Sequence, residues 1–98
     1  MNMQSLMAQA QKMQREITKK QEEIYNSVFE GNSEWVKIVL NGKKEIQKIE
    51  ILYTGDLNDD RDMLSDMITI AFNDAMKKIE KEIENKLGSY SKQLGGLM

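Results

Sequence analysis

The chain has 98 residues, no cysteine, no histidine and no proline, and a formal net charge of −2. Disulfides, thiolate nucleophiles and imidazole bases or ligands are therefore excluded, and no metal or cofactor site suggests itself. A length of this order makes a single domain, 1–98, small for burying an adequate core by itself.

The first predicted element is a helix from about Asn2 to Ser27. Met3, Leu6, Ala10, Met13, Ile17 and Ile24 fall on alternating three- and four-residue steps, with Lys20 filling one seam position. That narrow stripe is nearer to a coiled-coil seam than to the broad apolar face of a core helix. From Val28 the period changes to two. A short strand at 28–30 turns at Gly31-Asn32. A second strand places Val36, Ile38 and Leu40 on one face and Trp35, Lys37 and Val39 on the other. Asn41-Gly42 reads as a tight hairpin supplied with positive φ angles. Ile46, Ile49 and Ile51 follow in a third strand, where the odd step from 46 to 49 predicts a bulge.

A second helix is expected from Asn58 or Asp59, whose side chains can cap free amides, to about Gly88. Its stripe is Leu64, Ile68, Ala71, Phe72, Ala75, Ile79, Ile83 and Leu87. The tail, 89–98, is expected to fray. The fold class is α+β, in the order α-β-β-β-α, with a three-stranded antiparallel meander. Helices of roughly 37 and 45 Å would overrun strands of about 17–23 Å, so the start of the first and the end of the second should project. Exposed seams, and a second sheet face bearing Trp35 and Val39, make a homodimer the economical arrangement. Trp35, Val36, Ile38, Leu40, Ile49, Ile51 and Phe72 are the expected core and dimer residues.

Charge is unevenly distributed. Residues 1–20 carry +3, 21–53 carry −2, 54–74 carry −5 and 75–98 carry +2. Both projecting ends are thus basic, with Lys12, Arg15 and Lys19 at helical spacing on the first and Lys77, Lys78, Lys81 and Lys86 on the second. Such runs are often only solvated faces. On rigid extensions they could also neutralise phosphates without reading bases, and no aromatics interleave to stack on single strands.

The remaining candidates point away from catalysis. Asp56-Leu57-Asn58-Asp59-Asp60-Arg61 begins like a calcium loop, but Arg61 stands where glycine is required and Met67 where the bidentate glutamate should be. Helix capping explains these aspartates. Asn73 and Asp74 face solvent or cap a neighbouring element, and the eight methionines fill helix seams. No apolar run nears the ~18 residues of a membrane span, and the amino terminus shows no leader pattern, so a cytoplasmic protein that is not an enzyme is expected.

Leu6-Met7-x-Gln9-Ala10-Gln11-Lys12-Met13-Gln14, then Gln21-Glu22-Glu23, Val36-Lys37-Ile38 leading to Asn41-Gly42, Ile49-Glu50-Ile51, Leu64-x-Asp66-Met67-Ile68 and Ala71-Phe72-Asn73-Asp74-Ala75 occur in this order. In this the chain resembles the YbaB/EbfC family of bacterial nucleoid-associated proteins. The resemblance implies an α-β-β-β-α homodimer with tweezers-like helices that binds double-stranded DNA and is associated with the nucleoid. A dimeric adaptor for another protein, with weak or no DNA contact, is the competing expectation.

Overall fold

The computed structural model of the chain describes residues 2–90. Its elements are α1 (Met3–Tyr25), β1 (Val28–Asn32), β2 (Val36–Asn41), β3 (Ile46–Ile51) and α2 (Arg61–Leu87), closed by a 3-10 turn at Gly88–Tyr90. The strands form one antiparallel sheet in the order β1-β2-β3, and the expected α-β-β-β-α order is the observed one. The expected fraying does not begin at Ser89, because Tyr90 is hydrogen-bonded to α1. Residues 91–98 lie outside the described residues.

Local chemistry sets each boundary. The Asn2 side chain accepts from the amides of Gln4 and Ser5, satisfying two of the free donors of α1. β1 runs through Gly31 to Asn32 rather than turning there, and the Ser33 hydroxyl accepts from the Val36 amide in the connection that follows. α2 starts two residues later than expected. Its N-cap, Asp60, makes no side-chain cap bond, because its carboxylate instead accepts from the Tyr53 hydroxyl at 2.7 Å. Asp56 caps the preceding turn by accepting from the Asn58 amide at 2.9 Å, so the calcium-like stretch is a capped turn.

The β2–β3 hairpin corrects the expected turn. Among the described residues no glycine has positive φ; Lys44 does, at 67°. The Lys44 amide donates to the Asn41 carbonyl, and the Asn41 carboxamide oxygen accepts from the Lys43 and Glu45 amides. This is a three-residue connection with its left-handed residue last. Gly42 is needed for another reason: a Cβ there would overlap the Ile24 carbonyl of α1. The bulge is where the spacing put it, since Val39 pairs with Lys48 and Leu40 with Ile46, leaving Gln47 extra.

α2 lies across β1 and β2. Ile17, Ile24, Val36, Ile38, Leu40, Ala71, Ala75, Ile79, Ile83 and Leu87 form the buried core, with Phe29, Trp35, Leu64, Met67, Ile68 and Phe72 half-buried against it. The helix approaches closely at Gly31: a Cβ there would stand 2.5 Å from the Ala75 nitrogen and closer still to the Ala71 carbonyl oxygen. Asp74 fastens the same contact, its carboxylate accepting from the Asn32 amide at 3.0 Å. The Lys78 ammonium donates to the Glu30 carbonyl at 2.6 Å.

Two core expectations need correction. Ile46, Ile49 and Ile51 pair directly with Leu40, Ile38 and Val36 and so share the core-facing side of the sheet, yet they remain 52%, 47% and 48% exposed. α2 does not reach β3, so Ile49 and Ile51 are not core residues of the single chain. The opposite side of the sheet is not the apolar face expected. It carries ion pairs between Lys37 and Glu30 at 2.8 Å and between Lys48 and Glu50 at 2.5 Å. Trp35 stacks on Tyr53 with ring centroids 3.9 Å apart.

Gly31→Ala should therefore destabilise the chain by at least about 3 kcal/mol in urea unfolding, because the obstructing atoms are helix backbone and cannot rotate away. A loss below about 1 kcal/mol would show that α2 shifts freely on the sheet. Asp74 gives a pH signature. The Asn32 amide, and after it the Lys78 ammonium, holds the Asp74 carboxyl below its ordinary value. Its stabilisation is present above the unfolded carboxyl pKa and lost as pH falls through the lower folded one. Asp74→Asn should lower stability towards urea at pH 7 by about 1 kcal/mol, with the gap to wild type closing as pH falls below the ordinary carboxyl range. A gap independent of pH would contradict the charged contact.

Candidate nucleic-acid interface

The chain is 70 Å long and only 19 × 16 Å in section. The length comes from the way the two helices leave the sheet. α2 is antiparallel to β1, with Ala71 and Ala75 beside Gly31 and Lys78 at Glu30. At ~1.5 Å per helical and ~3.3 Å per strand residue, α2 passes the start of β1 near residue 80 and continues beyond it. α1 returns along this continuation. Ile17 and Ile24 are buried with Ile83 and Leu87 in the one core, and cross-links stand along the helix pair. Lys86 meets Glu23 at 3.1 Å. The Tyr90 hydroxyl donates to Glu16 at 3.2 Å, and the Lys20 ammonium lies 4.9 Å from the Tyr90 ring centre. The Lys86 contact holds the Glu23 carboxyl below its ordinary value.

Beyond these cross-links, every α1 residue from Met3 to Glu16 is exposed. Met3, Leu6, Met7 and Met13 are 74%, 43%, 59% and 38% exposed, so most of the predicted seam has no cover among the described residues. This stretch is an arm of roughly 20 Å. It carries Lys12 and Arg15, and Lys19 follows one turn further at the start of the paired region.

The seven basic residues predicted as an interface do not form one group. Lys12, Arg15 and Lys19 are exposed and enter no ion pair among the described residues. Lys81 is exposed near the base of the arm. Lys86 is committed to Glu23. Lys77 and Lys78 sit beside the sheet: Lys77 lines a shallow depression with Asn32 and Asp74, and Lys78 meets Asp74 at 3.4 Å. The spacing that put Lys77, Lys78, Lys81 and Lys86 on one helix could not show that the sheet edge divides them.

Sequence reasoning also missed two features of this end. Lys20, read only as an interruption of the seam, cross-links the helices through Tyr90. The hairpin lysines Lys43 and Lys44 belong to the basic end, because the hairpin tip meets the end of α1. The Lys43 ammonium lies 5.6 Å from the Tyr25 ring centre. A lysine at a seam position and an aromatic at the end of a helix were the available signals for the first; nothing in the spacing signalled the second.

The acidic residues 56–66 lie in and before the first turns of α2, at the other end of that helix from the basic arm. Net charge therefore understates the positive potential that an approaching polyanion meets at the arm. No helix is long and apolar enough to cross a membrane among the described residues.

The YbaB/EbfC DNA-binding family matches residues 1–94. A nucleoid-associated protein of Ligilactobacillus salivarius (strain UCC118) is 40% identical, the match covering 99% of this chain and 95% of that protein. Nucleoid-associated protein LL0120 of Lactococcus lactis subsp. lactis (strain IL1403) is 42% identical, covering 96% and 97% respectively. The crystal structure of uncharacterized protein HP0035 from Helicobacter pylori superimposes with a TM-score of 0.76 at 21% identity, covering 92% of this chain and 97% of that one, a likeness of fold.

Proposed function

Because the chain belongs to the YbaB/EbfC DNA-binding family, we propose that it is a nucleoid-associated homodimer that holds double-stranded DNA through backbone phosphates, with little regard to sequence. The observation that carries this reading is the exposed α1 arm with Lys12 and Arg15, followed one turn on by Lys19, none of which has a carboxylate partner among the described residues. Lys12, Arg15 and Lys19 are set one turn apart along a rigid rod, the arrangement that phosphate contacts require. No aromatic side chain stands among them, which favours a duplex over stacked single-stranded bases. Lys81 extends the same basic end. Lys77, Lys78 and Lys86, being tied to the sheet or to α1, are supporting rather than contacting residues.

The dimer is argued from the open half of the sheet. Ile46, Ile49 and Ile51 present an apolar row on the core-facing side, 52%, 47% and 48% exposed. A second copy covering these rows satisfies the hydrophobic surface that α2 cannot reach. The protein then carries two basic arms per particle, and its place is the cytoplasmic nucleoid. A dimeric adaptor would share this open row but would not need the unpaired cations of α1.

Sedimentation equilibrium at micromolar concentration should give twice the 11.4 kDa chain mass, and Ile49→Glu should shift the population to monomer. A stable wild-type monomer would remove the two-armed particle. Duplex affinity is expected at about 10⁻⁴–10⁻⁶ M at physiological salt, with log K falling as log salt rises. Lys12→Glu, Arg15→Glu and Lys19→Glu together should weaken binding at least tenfold and flatten the salt slope, with circular dichroism and dimer mass unchanged. Reversing Lys77 and Lys78 should matter less; the opposite ranking would place the contact at the sheet. Absence of duplex binding even at low salt would leave the adaptor reading in its place.

A further inference from the structure

At the base of the arm, the end of α1, the hairpin and the end of α2 enclose a cavity of about 300 Å³, at the lower end of the range of small-molecule sites. Ile24, Ile83 and Leu87 lie beneath it, 1%, 6% and 0% exposed, so the apolar surface it offers is chiefly the edge of Ile83 and the side chain of Tyr25. Its rim carries the half-buried Tyr25 and two exposed lysines, Lys43 and Lys44. The lysines are placed by the turn. Lys44 holds the left-handed backbone, with φ 67°, a conformation unusual for a residue other than glycine or asparagine. Lys43 is held over the Tyr25 ring. Neither ammonium has a carboxylate partner among the described residues. The adjacent carboxylate, Glu45, accepts from the Asn41 carboxamide at 2.7 Å.

We propose that this cavity is a binding site for an amphipathic anion: an aromatic or branched apolar body seated against Tyr25 and Ile83, with an anionic head at Lys43 and Lys44. Apolar burial supplies affinity, and the two ammoniums fix orientation and select charge. The row on β3 is apolar without a cationic rim beside it, and the α1 seam has no enclosing walls. Neither provides both halves of this chemistry. The site uses none of Lys12, Arg15 and Lys19, and its test contains no nucleic acid.

The probe is 1-anilinonaphthalene-8-sulfonate, compared by fluorescence titration of the full chain with N-phenyl-1-naphthylamine, which has the same body without the sulfonate. The sulfonate should bind saturably, one per chain, at least tenfold tighter than the neutral dye. Lys43→Gln with Lys44→Gln should erase that preference while leaving neutral-dye binding unchanged. Gln21→Trp, which places an indole in the cavity mouth, should remove both dyes. Equal affinity for the two dyes overturns the proposal, as does a preference that survives in the double variant. Sulfonate binding that is undiminished in a folded Gln21→Trp chain assigns the dye to another apolar surface. Absence of saturable binding overturns the proposal as well. Both lysines are exposed, so the double variant reads the charge dependence even if the Gln21 variant does not fold.

Discussion

The fold depends on the close approach of α2 to β1 at Gly31. Only a residue without a side chain lets the helix backbone at Ala71 and Ala75 settle onto the strand, and only small residues on the helix let it come so near. Close packing of this kind fixes direction as well as distance. With Asp74 fastened to the Asn32 amide and Lys78 to the Glu30 carbonyl, the helix cannot slide along the strand without breaking charge-assisted hydrogen bonds. The continuation of α2 beyond the sheet is thereby aimed, and α1 has a surface to pack on.

The same contact explains what the single chain leaves unfinished. A helix drawn tightly onto β1 and β2 stands too far from β3 to cover it. The isoleucines of β3 face the right way and yet remain about half exposed. The opposite face needs no cover, because cross-strand and same-strand ion pairs make it a solvated surface of modest energetic weight. The apolar surface left uncovered therefore lies chiefly in the β3 row and in the α1 seam.

Electrostatics follows from topology in a similar way. A chain of net charge −2 presents a basic end because the cations of α1 and of the hairpin tip lie together there, while the aspartates around the start of α2 are held at its far end. Where carboxylates and cations meet along the helix pair, at Lys86–Glu23 and Glu16–Tyr90–Lys20, they join the helices and are consumed structurally. Where α1 runs on alone, its cations keep their full charge towards solvent. Within the paired region a cation is consumed only where a partner faces it, so Lys20 and Lys86 are tied while Lys19 and Lys81 stay exposed.

By itself the sequence determined the order and type of the elements, the bulge between Ile46 and Ile49, the apolar stripe of α2 and the family to which the chain belongs. These are local matters: a period of two or of three to four residues, a turn signal, or a motif in a fixed order acts within a few residues of itself. Gly42 shows the limit, since its local signal marked a real turn but not the reason for glycine, which is the Ile24 carbonyl of a distant helix. Tertiary structure alone decided which face of the sheet is closed, that Ile49 and Ile51 stay outside the core, that Lys77 and Lys78 serve the sheet while Lys12, Arg15 and Lys19 do not, and that the hairpin lysines meet the end of α1. Each depends on where α2 rests on β1. Periodicity records which side of an element is apolar, but carries no information about how far along a neighbour that side extends.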